Sequence, residues 1–399
     1  MTSEPWLSPL WEPLALPCGV TLKNRIIKSA MSDSLGDGAG NPTVEQIRLY
    51  QTWAQGGAAV AIIGEVQGDP HAAEKPGNLV LHDRADLDSF RAMAKSGQSN
   101  GALLWAQLGH AGAMAFPPIS DPKGPSALSL PDLHCHALSV AEVSALPKMF
   151  AQTAHLARQV GLGGIQIHAA HGFLLSQFLS PLFNQRSDGY GGSIRNRMRL
   201  LLEVIDAVRG AVGPAFPIAV KLNATDQLVG GLTPEEALEV VTALDHVAID
   251  MIDISGGTYF PGAKSASDGA GNGPYFVDFA KRARALTTKP LMLTGGFKTF
   301  DQADAAVTDG VADVVGLARA FILHPDLPAQ WQAVRQLAPT FPKFDAPPEG
   351  GVTAWYTMRL SEIGRDQPQD HAQTAQDALK AYAERDAARA GLWLEAFPR

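Results

Sequence analysis

Eight short apolar segments alternate along most of the chain with longer amphipathic stretches, and this alternation restricts the fold more than any other feature. Short apolar runs that alternate with helical periodicity predict parallel β-strands joined by crossover helices. Eight such strands are the number that closes a β/α barrel instead of leaving an open sheet. The predicted strands are Arg25–Met31, Ala58–Val66, Ala102–Leu108, Gly164–His168, Ile218–Leu222, Asp250–Ile254, Pro290–Thr294 and Asp313–Leu317.

Capping signals mark the starts of several predicted helices. A Ser or Thr side chain that is followed three residues later by Glu or Gln satisfies backbone N–H groups in the first turn of a helix. This pattern occurs at Thr43, Ser139, Thr233 and Thr299. In the stretch after Ser139 we expect Pro147 to begin a second helical segment, since proline lacks the N–H that a helix interior needs.

The end of the chain differs in composition from the part that carries the alternation. Its pattern predicts helices over residues 351–363 and 373–390, and Trp355, Trp393 and Phe397 need burial. We therefore divide the chain into a barrel over residues 1–345 and a C-terminal helical extension over residues 346–399. The extension packs either on its own barrel or on a neighbouring subunit, so the sequence allows either a monomer or a homo-oligomer.

Composition and charge argue against several classes of protein. A formal net charge of −8 argues against a nucleic-acid or anionic-membrane surface. No apolar run approaches the ~18 residues of a membrane span, and the first residues lack the basic and apolar regions of a signal peptide. Cys18 and Cys135 lie far apart without a redox or zinc pattern and are interpreted as free thiols. We expect a soluble cytoplasmic protein.

Two histidines follow directly from the fourth predicted strand. The apolar run Gly164–Ile167 predicts a buried strand, and His168 and His171 come at its C-terminal end, where barrel enzymes hold their active sites. Imidazoles in this arrangement can converge on one small polar atom and donate hydrogen bonds to a carbonyl or phenolate oxygen. The residues alone also allow a metal pair, or two loop histidines without a role.

Further strand ends carry groups suited to a ligand. Gln107 ends the third strand and offers both a donor and an acceptor. Lys221 ends an otherwise apolar strand; because a lone buried cation is costly, it faces a cavity, an anion or solvent. After strands seven and eight, Gly295 and Gly296 permit close backbone approach, and Arg319 can bind phosphate oxygens. These last two loops predict a phosphorylated ligand.

Motifs of several other enzyme classes do not occur in the sequence. No Gly-x-Gly-x-x-Gly follows a predicted strand, so no Rossmann domain is expected. Walker A, His-Glu-x-x-His and Gly-x-Ser-x-Gly motifs are also missing. His134, Cys135 and His136 could ligate a metal, but no other ligands stand at a suitable spacing, so we predict no metal site.

The segment HAAHGFLLSQFLSPLFNQRSDGYGGSIRNR, residues 168–197, resembles the signature segment of the old yellow enzyme family. The similarity recurs in separate blocks from about Leu10 to Pro328. Members of that family are FMN-dependent NAD(P)H oxidoreductases, so the resemblance implies an α/β fold of the (β/α)8 TIM barrel type, FMN as cofactor and NADH or NADPH as reductant. The FMN contacts that it implies are Ser29, Ala30, Met31, Ser32, Val66, Gln107, Lys221, Gly295, Gly296, Ala318 and Arg319.

The resemblance also implies an activity, the reduction of carbonyl-conjugated alkenes. Hydride passes from flavin N5 to the β-carbon while His168 and His171 hold the substrate oxygen, and Tyr259 is a candidate substrate contact. Where the family has a tyrosine that protonates the α-carbon, this chain has Phe173, which has no proton to give. The implied outcome is slow alkene reduction with a surrogate acid, or a flavin-dependent isomerase or dehydrogenase.

Three other positions depart from the family pattern. Val66 stands where Gly or Ala is usual and would crowd N5; Ala113 replaces an arginine and removes a positive charge; Lys221 replaces an arginine as the cation near N1 and O2. Two other classes stay open: a flavin-binding barrel without turnover, and a colourless aldolase-like barrel with Lys221 as a Schiff-base lysine. We expect a small-molecule enone substrate and neither a nucleic-acid nor a membrane partner.

Overall fold

The computed structural model describes residues 8–130, 133–260, 273–367 and 373–398, and in them eight parallel strands close into a barrel. Each barrel strand pairs with the next, and the last pairs with the first, so the ring has no open edge. All the predicted strands are confirmed, with ends that move by two residues at most. The barrel strands β1–β8 are Ile26–Ser32, Val60–Gln67, Leu103–Gly109, Gly164–Ala169, Ile218–Asn223, Met251–Ser255, Leu291–Thr294 and Val314–Leu317.

Two apolar layers hold the barrel together. Because side chains alternate across a strand, one set points outward to the helices and the other points into the barrel. The inward set fills the lower part of the barrel as an apolar plug, and Gly164 makes room for Trp105, since a Cβ there would lie 2.6 Å from the indole Nε1. The buried members of the apolar plug include Ile27, Val60, Ile62, Trp105, Ala219, Met251, Met292 and Val314.

The helices that follow the strands begin at the predicted caps. Side chains of Thr43, Ser139, Thr233 and Thr299 each accept a hydrogen bond from the backbone three residues later, and Ser139 and Thr233 complete reciprocal capping boxes. The α-helices, α1–α13, are Val44–Gln55, Leu87–Gly97, Val140–Gln159, Leu174–Leu179, Ile194–Arg197, Arg199–Val212, Pro234–Asp245, Val277–Arg284, Phe300–Thr308, Arg319–Leu323, Leu327–Ala333, Gly351–Gly364 and Ala375–Ala396.

The break that we predicted at Pro147 is wrong. Helix α3 runs from Val140 to Gln159 with Pro147 inside it. Proline removes one hydrogen bond from the interior of a helix. Val143, Leu146 and Phe150 on the same helix are buried, and the helix packs against α6. This tertiary burial offsets the lost hydrogen bond.

Short strands and 3-10 helices lie in the segments between the barrel strands and before the first of them. Leu14–Ala15 and Thr21–Leu22 form an antiparallel pair, and Leu79–Val80 extends the barrel sheet beside β2. A small separate sheet follows β3; its strands are Lys123–Gly124, Leu128–Leu130 and Leu133–Ala137. Short 3-10 helices occur at Pro9–Trp11, Pro70–Ala72, Ser99–Gly101 and Gly112–Met114.

The C-terminal helices pack on the barrel of their own chain. Helix α12 lies against α1, where Arg48 Nη1 donates a hydrogen bond to the carbonyl oxygen of Gly364 over 2.9 Å. At the end of α13, Trp393 and Phe397 are buried in a cluster with Val80 and other residues of the loops after β2 and β3. Of the two sites that the sequence left open for the extension, the structure therefore places it on its own barrel.

Lys28 is a buried lysine that has no hydrogen-bond partner among the described residues. Its side chain is fully buried on β1, with Nζ 4.2 Å from the ring centroid of Trp53. Burial lowers the pKa of Lys28 to about 7, although Asp33 nearby acts in the opposite direction. Unfolding returns this amine to water and to an ordinary pKa of 10.5, so Lys28 destabilises the fold most below pH 7 and not at all above pH 10.5.

Replacing Lys28 with methionine is therefore expected to raise the free energy of unfolding by about 2 kcal/mol at pH 7, once the lost cation–π contact is allowed for. The gain shrinks as the pH rises towards 10, because the wild-type amine is then neutral in both states. Urea unfolding at several pH values measures it, with Lys95→Met, an exposed lysine on α2, as the control. A loss of stability in Lys28→Met at pH 7 would contradict the prediction.

Candidate active site

A layer of polar side chains crosses the barrel above the apolar plug, at the C-terminal ends of the strands. Ser29, Gln107, Lys221, Asp253 and Thr294 each stand two residues after a member of the plug, so their side chains also point inward. All of them are buried. This is the end of the barrel at which TIM-barrel enzymes hold their active sites.

Asp253 on β6 is the centre of this layer. Its carboxylate accepts hydrogen bonds from Lys221 Nζ at 2.6 Å, from Gln166 Nε2 at 2.9 Å and from Thr294 Oγ1 at 2.6 Å. Gln166 in turn accepts from Gln107 Nε2 at 2.7 Å. The charge of Lys221 is thus balanced by a buried carboxylate, so of the surroundings that the sequence left open for this lysine the structure shows an anion.

The sequence analysis did not single out Asp253 or Gln166. A signal was available, because each is a polar residue inside an apolar strand. Gln166 stands between Ile165 and Ile167, and Asp253 stands between isoleucines of β6. A buried polar side chain within such a strand needs a hydrogen-bonding partner across the barrel.

The two predicted histidines meet at the end of β4. His168 Nε2 lies 3.2 Å from His171 Nδ1, and His171 Nε2 lies 2.8 Å from Ser255 Oγ. On its other side, His168 Nδ1 contacts a carboxylate oxygen of Glu65. The backbone N–H of His171 donates to Asn223 Oδ1 at 3.0 Å. The structure therefore brings the imidazoles together, but they contact each other instead of facing a shared empty position.

Both imidazoles are uncharged at neutral pH. Burial lowers the pKa of His168 to about 3, and the nearby Lys221 acts in the same direction. Burial and the neighbouring His168 hold the pKa of His171 well below its usual value. For Glu65, burial raises the pKa to about 8. Hydrogen bonding in this group is consequently set by which nitrogen of each neutral ring carries the proton.

An irregularity in β2 directs Glu65 into the barrel. Between the pairs Ile63–Ala106 and Val66–Leu108, β2 advances by three residues while β3 advances by two. One extra residue of this kind is a β-bulge, which re-aims the side chains that follow. Val66 accordingly packs in the outer apolar layer, which differs from the flavin-edge contact that we predicted for its side chain.

Phe173 and Tyr259 border the imidazoles. Phe173 is buried with Ala111 and Ala115, and its ring centroid lies 4.8 Å from that of His168. Tyr259 is 59% exposed, with its ring centroid 5.6 Å from that of His171 and 6.1 Å from that of Phe173. Tyr259 thus lies beside the pair, on the solvent side. Most of the loop that follows it, residues 261–272, lies outside the described residues.

The two loops predicted to hold phosphate lie at the neighbouring strand ends. Gly295 and Gly296 have φ of 111° and 85°, a region that favours glycine, and a Cβ on Gly296 would lie 2.3 Å from the carbonyl oxygen of Gly273. Ala318 caps the short helix α10, and Arg319 lies 5.7 Å from the ring centroid of Tyr356 in α12. Among the residues that the structure describes, no carboxylate pairs with Arg319.

The chain's own atoms fit an FMN group at this mouth. Ser32 Oγ, at the end of β1, is buried and has no hydrogen-bond partner in the part of the chain that the structure describes, as expected of a group that a ligand satisfies. Met31 precedes it, and Ser29 Oγ is already in contact with Thr294 Oγ1 at 3.1 Å. Arg319, which no described carboxylate pairs with, and the backbone of Gly295 and Gly296 suit a phosphate. The side-chain oxygen of Gln107 remains as an acceptor for a ring N–H.

The described residues contain neither a cluster of metal-ligating side chains nor a helix that could span a membrane. Nowhere in the ranges given above do three or more His, Cys, Asp or Glu side chains cluster in a way that could hold a metal ion. His134 instead contacts Ser129 Oγ, 3.1 Å from its Nδ1. Among the same residues, every helix is too short or too polar to span a membrane.

The chain is similar in sequence and fold to known flavin oxidoreductases. The sequence profile of the NADH:flavin oxidoreductase / NADH oxidase family matches residues 9–338. An NADH-dependent flavin oxidoreductase of Hypocrea jecorina is 34% identical over 353 residues, covering 79% of this chain and 87% of the relative. One of Aspergillus parasiticus is 30% identical over 413 residues, covering 94% and 91%. A solved old yellow enzyme homologue from Zymomonas mobilis has a TM-score of 0.72 at 25% identity, covering 83% of this chain and 95% of that chain.

Proposed function

The chain belongs to the NADH:flavin oxidoreductase / NADH oxidase family and is an FMN-dependent oxidoreductase, and from that premise we propose that it reduces the double bond of small carbonyl-conjugated alkenes. NADH or NADPH is the reductant. The observation that carries the proposal is the pair of uncharged imidazoles at the mouth of the barrel, those of the buried His168 and the half-buried His171. Neutral N–H donors in a water-poor site are suited to a carbonyl oxygen that gains negative charge during the reaction.

The cofactor and the substrate are held by different parts of the mouth. Bound FMN supplies the hydride chemistry. Ser29, Ala30, Met31 and Ser32 would line the ring, and Gln107 would bind its pyrimidine edge. Gly295, Gly296, Ala318 and Arg319 hold the phosphate. Asp253 and Lys221 form a neutral buried pair in the same polar layer and fix the orientation of Gln166, which in turn orients Gln107.

The histidines bind and orient the substrate oxygen. Asn223 and Ser255 fix His171, so that its ring stays within reach of His168. A carbonyl oxygen that enters between the rings replaces their mutual contact and accepts the N–H group that lies between them. Phe173 and Tyr259 form the wall against which the rest of the substrate packs.

The residue at position 173 supports a second candidate function. Phe173 lies beside His168, where this family's reductases usually have a proton-donating tyrosine, and it has no exchangeable proton. Without rapid protonation of the α-carbon, an enolate-like intermediate would be able to return its electrons to the flavin. The chain would then act as a flavin-dependent double-bond isomerase or dehydrogenase on the same class of substrate.

The test begins with the absorbance of the purified protein. We expect a yellow protein that bleaches anaerobically with NADH or NADPH and regains its colour with cyclohexenone as cyclohexanone forms. Bleaching of the yellow protein by cyclohexanone, or a shift of the double bond in an enone without any net change of colour, would favour the second candidate. A colourless protein that binds no added FMN would contradict both functions.

A further inference from the structure

We infer that Glu65 is the proton reserve of this site: its carboxyl holds a proton that His168 relays to the substrate oxygen. The inference rests on the proposed function and extends it, because it names a source of protons where Phe173 provides none. Glu65 acts through His168 and is therefore a positioning residue, while His168 contacts the substrate.

Side-chain contacts connect Glu65, the two histidines and Ser255 in one continuous row. Glu65 Oε1 meets His168 Nδ1, His168 Nε2 lies 3.2 Å from His171 Nδ1, and His171 Nε2 lies 2.8 Å from Ser255 Oγ. Glu65 is 3% exposed, and His168 is equally buried. Every nitrogen of the two rings thus has one neighbour, and a change at one end of the chain alters the protonation at the other.

The carboxyl of Glu65 is held firmly in place. Its other oxygen accepts a hydrogen bond from Gln67 Nε2 at 2.8 Å. On the neighbouring strand, a Cβ on Gly109 would lie 2.8 Å from the carboxyl carbon, so only glycine leaves room for this side chain. The bulge in β2, the amide of Gln67 and the gap at Gly109 together aim the carboxyl at His168.

With both rings neutral, two arrangements of protons satisfy every hydrogen bond between Glu65, the two histidines and Ser255. In the first, Glu65 is a carboxylic acid that donates to His168 Nδ1, and both histidines carry their protons on Nε2. In the second, Ser255 donates to His171, both histidines carry their protons on Nδ1, and Glu65 is a carboxylate.

The surroundings favour the first arrangement. In the described part of the chain, the only ion-pair partner of Glu65 is His168, which is uncharged. Among the described residues, Glu74 and Tyr259 interact electrostatically with Glu65 and add no positive charge. The cations Lys75 and Arg319 act on those two groups, and Lys221 is neutralised by Asp253. An unpaired carboxylate in a buried site is costly, which accords with the raised pKa of Glu65.

The first arrangement gives His168 the proton that the substrate needs. Its Nε2–H faces the position where the carbonyl oxygen enters. As negative charge develops on that oxygen, the Nε2 proton moves to it, and the Glu65 proton moves to Nδ1. Glu65 ends as a carboxylate, the oxygen ends as a hydroxyl, and no electrons are exchanged in this step. The neutral enol then takes a proton from water at its carbon while its hydroxyl gives its own proton to the hydroxide that results. After release, Glu65 regains a proton from solvent through His168.

Glu65→Gln separates this role from a structural one. The glutamine amide can still donate to His168 Nδ1 and keep the proton on Nε2, but it has no proton to transfer. We expect single-turnover oxidation of the reduced enzyme by cyclohexenone to slow about 100-fold. In the Phe173→Tyr background, the loss should fall to a few-fold, because tyrosine supplies a proton directly. An equal loss in both backgrounds, or no loss in the first, would overturn the inference.

The pH profile adds a second readout. Because the protonated carboxyl is the donor, the wild-type rate should fall as the pH rises through about 8, and this fall should be absent in Glu65→Gln. Glu74→Gln is the matched control, since Glu74 is a neighbouring carboxyl with a raised pKa but has no contact with the histidines. It should keep the wild-type rate at neutral pH. A fall near pH 8 that persists in Glu65→Gln would contradict the inference.

Spectroscopy of the protein without substrate tests the stored proton itself. Infrared difference spectra at pH 7 should contain the carbonyl stretch of a protonated carboxyl that Glu65→Gln removes and Glu74→Gln retains. Nitrogen NMR of labelled histidine should place the proton of His168 on Nε2. Protons on Nδ1 would overturn the inference whatever the activity. If the reduced wild type fails to react with any enone while these signatures are present, the proposed substrate class is what fails.

Discussion

Phe173→Tyr is expected to raise the rate of enone reduction about 100-fold at saturating substrate, the lower end of what a positioned general acid contributes. Phe173 is buried with its ring 4.8 Å from that of His168, so a tyrosine there places its hydroxyl group within the same wall of the site. The hydroxyl can protonate the α-carbon directly, which the phenyl ring cannot do. The rate of cyclohexenone-dependent oxidation of NADPH measures the effect.

Product stereochemistry gives an independent check on the same change. Reduction of 2-methylcyclohexenone creates a stereocentre at the α-carbon. A fixed tyrosine protonates one face, so the variant should form one enantiomer in excess, whereas protonation by water gives a mixture. Phe173→Leu is the control, since it changes the wall without adding a donor, and its rate should not rise. An unchanged rate and an unchanged enantiomer ratio in Phe173→Tyr would mean that position 173 does not limit protonation.

Asp253→Ala is expected to lower the free energy of unfolding by about 3–5 kcal/mol, the usual cost of leaving one buried partner of an ion pair uncompensated. Lys221 and Asp253 are 1% and 0% exposed at their side chains, so water cannot replace the lost carboxylate. The same carboxylate accepts from Gln166 and Thr294, which would lose their acceptor as well. Urea unfolding of the FMN-free protein measures the loss without any contribution from the cofactor.

Two further variants distinguish the charge from the packing. Asp253→Asn keeps an acceptor for Thr294 but not the charge, and its loss should be smaller than that of Asp253→Ala. Combining Asp253→Leu with Lys221→Met removes both charges and should recover most of the stability, because an apolar pair of similar volume often replaces a buried ion pair at little cost. A loss of stability below about 1 kcal/mol in Asp253→Ala would show that water solvates the ammonium group of Lys221 in the variant.

The barrel and the position of the candidate site could be predicted from the sequence. Apolar periodicity located every barrel strand within two residues, because an inward and an outward apolar layer require residues at fixed spacing. Strand ends then pointed to His168, His171, Gln107 and Lys221, since the C-terminal ends of parallel strands meet at one mouth. The helix caps were equally accessible, as each depends on residues only three positions apart.

Contacts between distant strands were decided only by the tertiary structure. Pairing of Lys221 with Asp253 depends on the register of β5 against β6, and the contact between Glu65 and His168 joins residues 103 positions apart. Glu65 faces inward because β2 has one residue more than β3 between two pairing points, a mismatch that belongs to both strands at once. Local periodicity determines which segments become strands and where they end. Which buried polar groups meet follows from register, and register exists only once the barrel has closed.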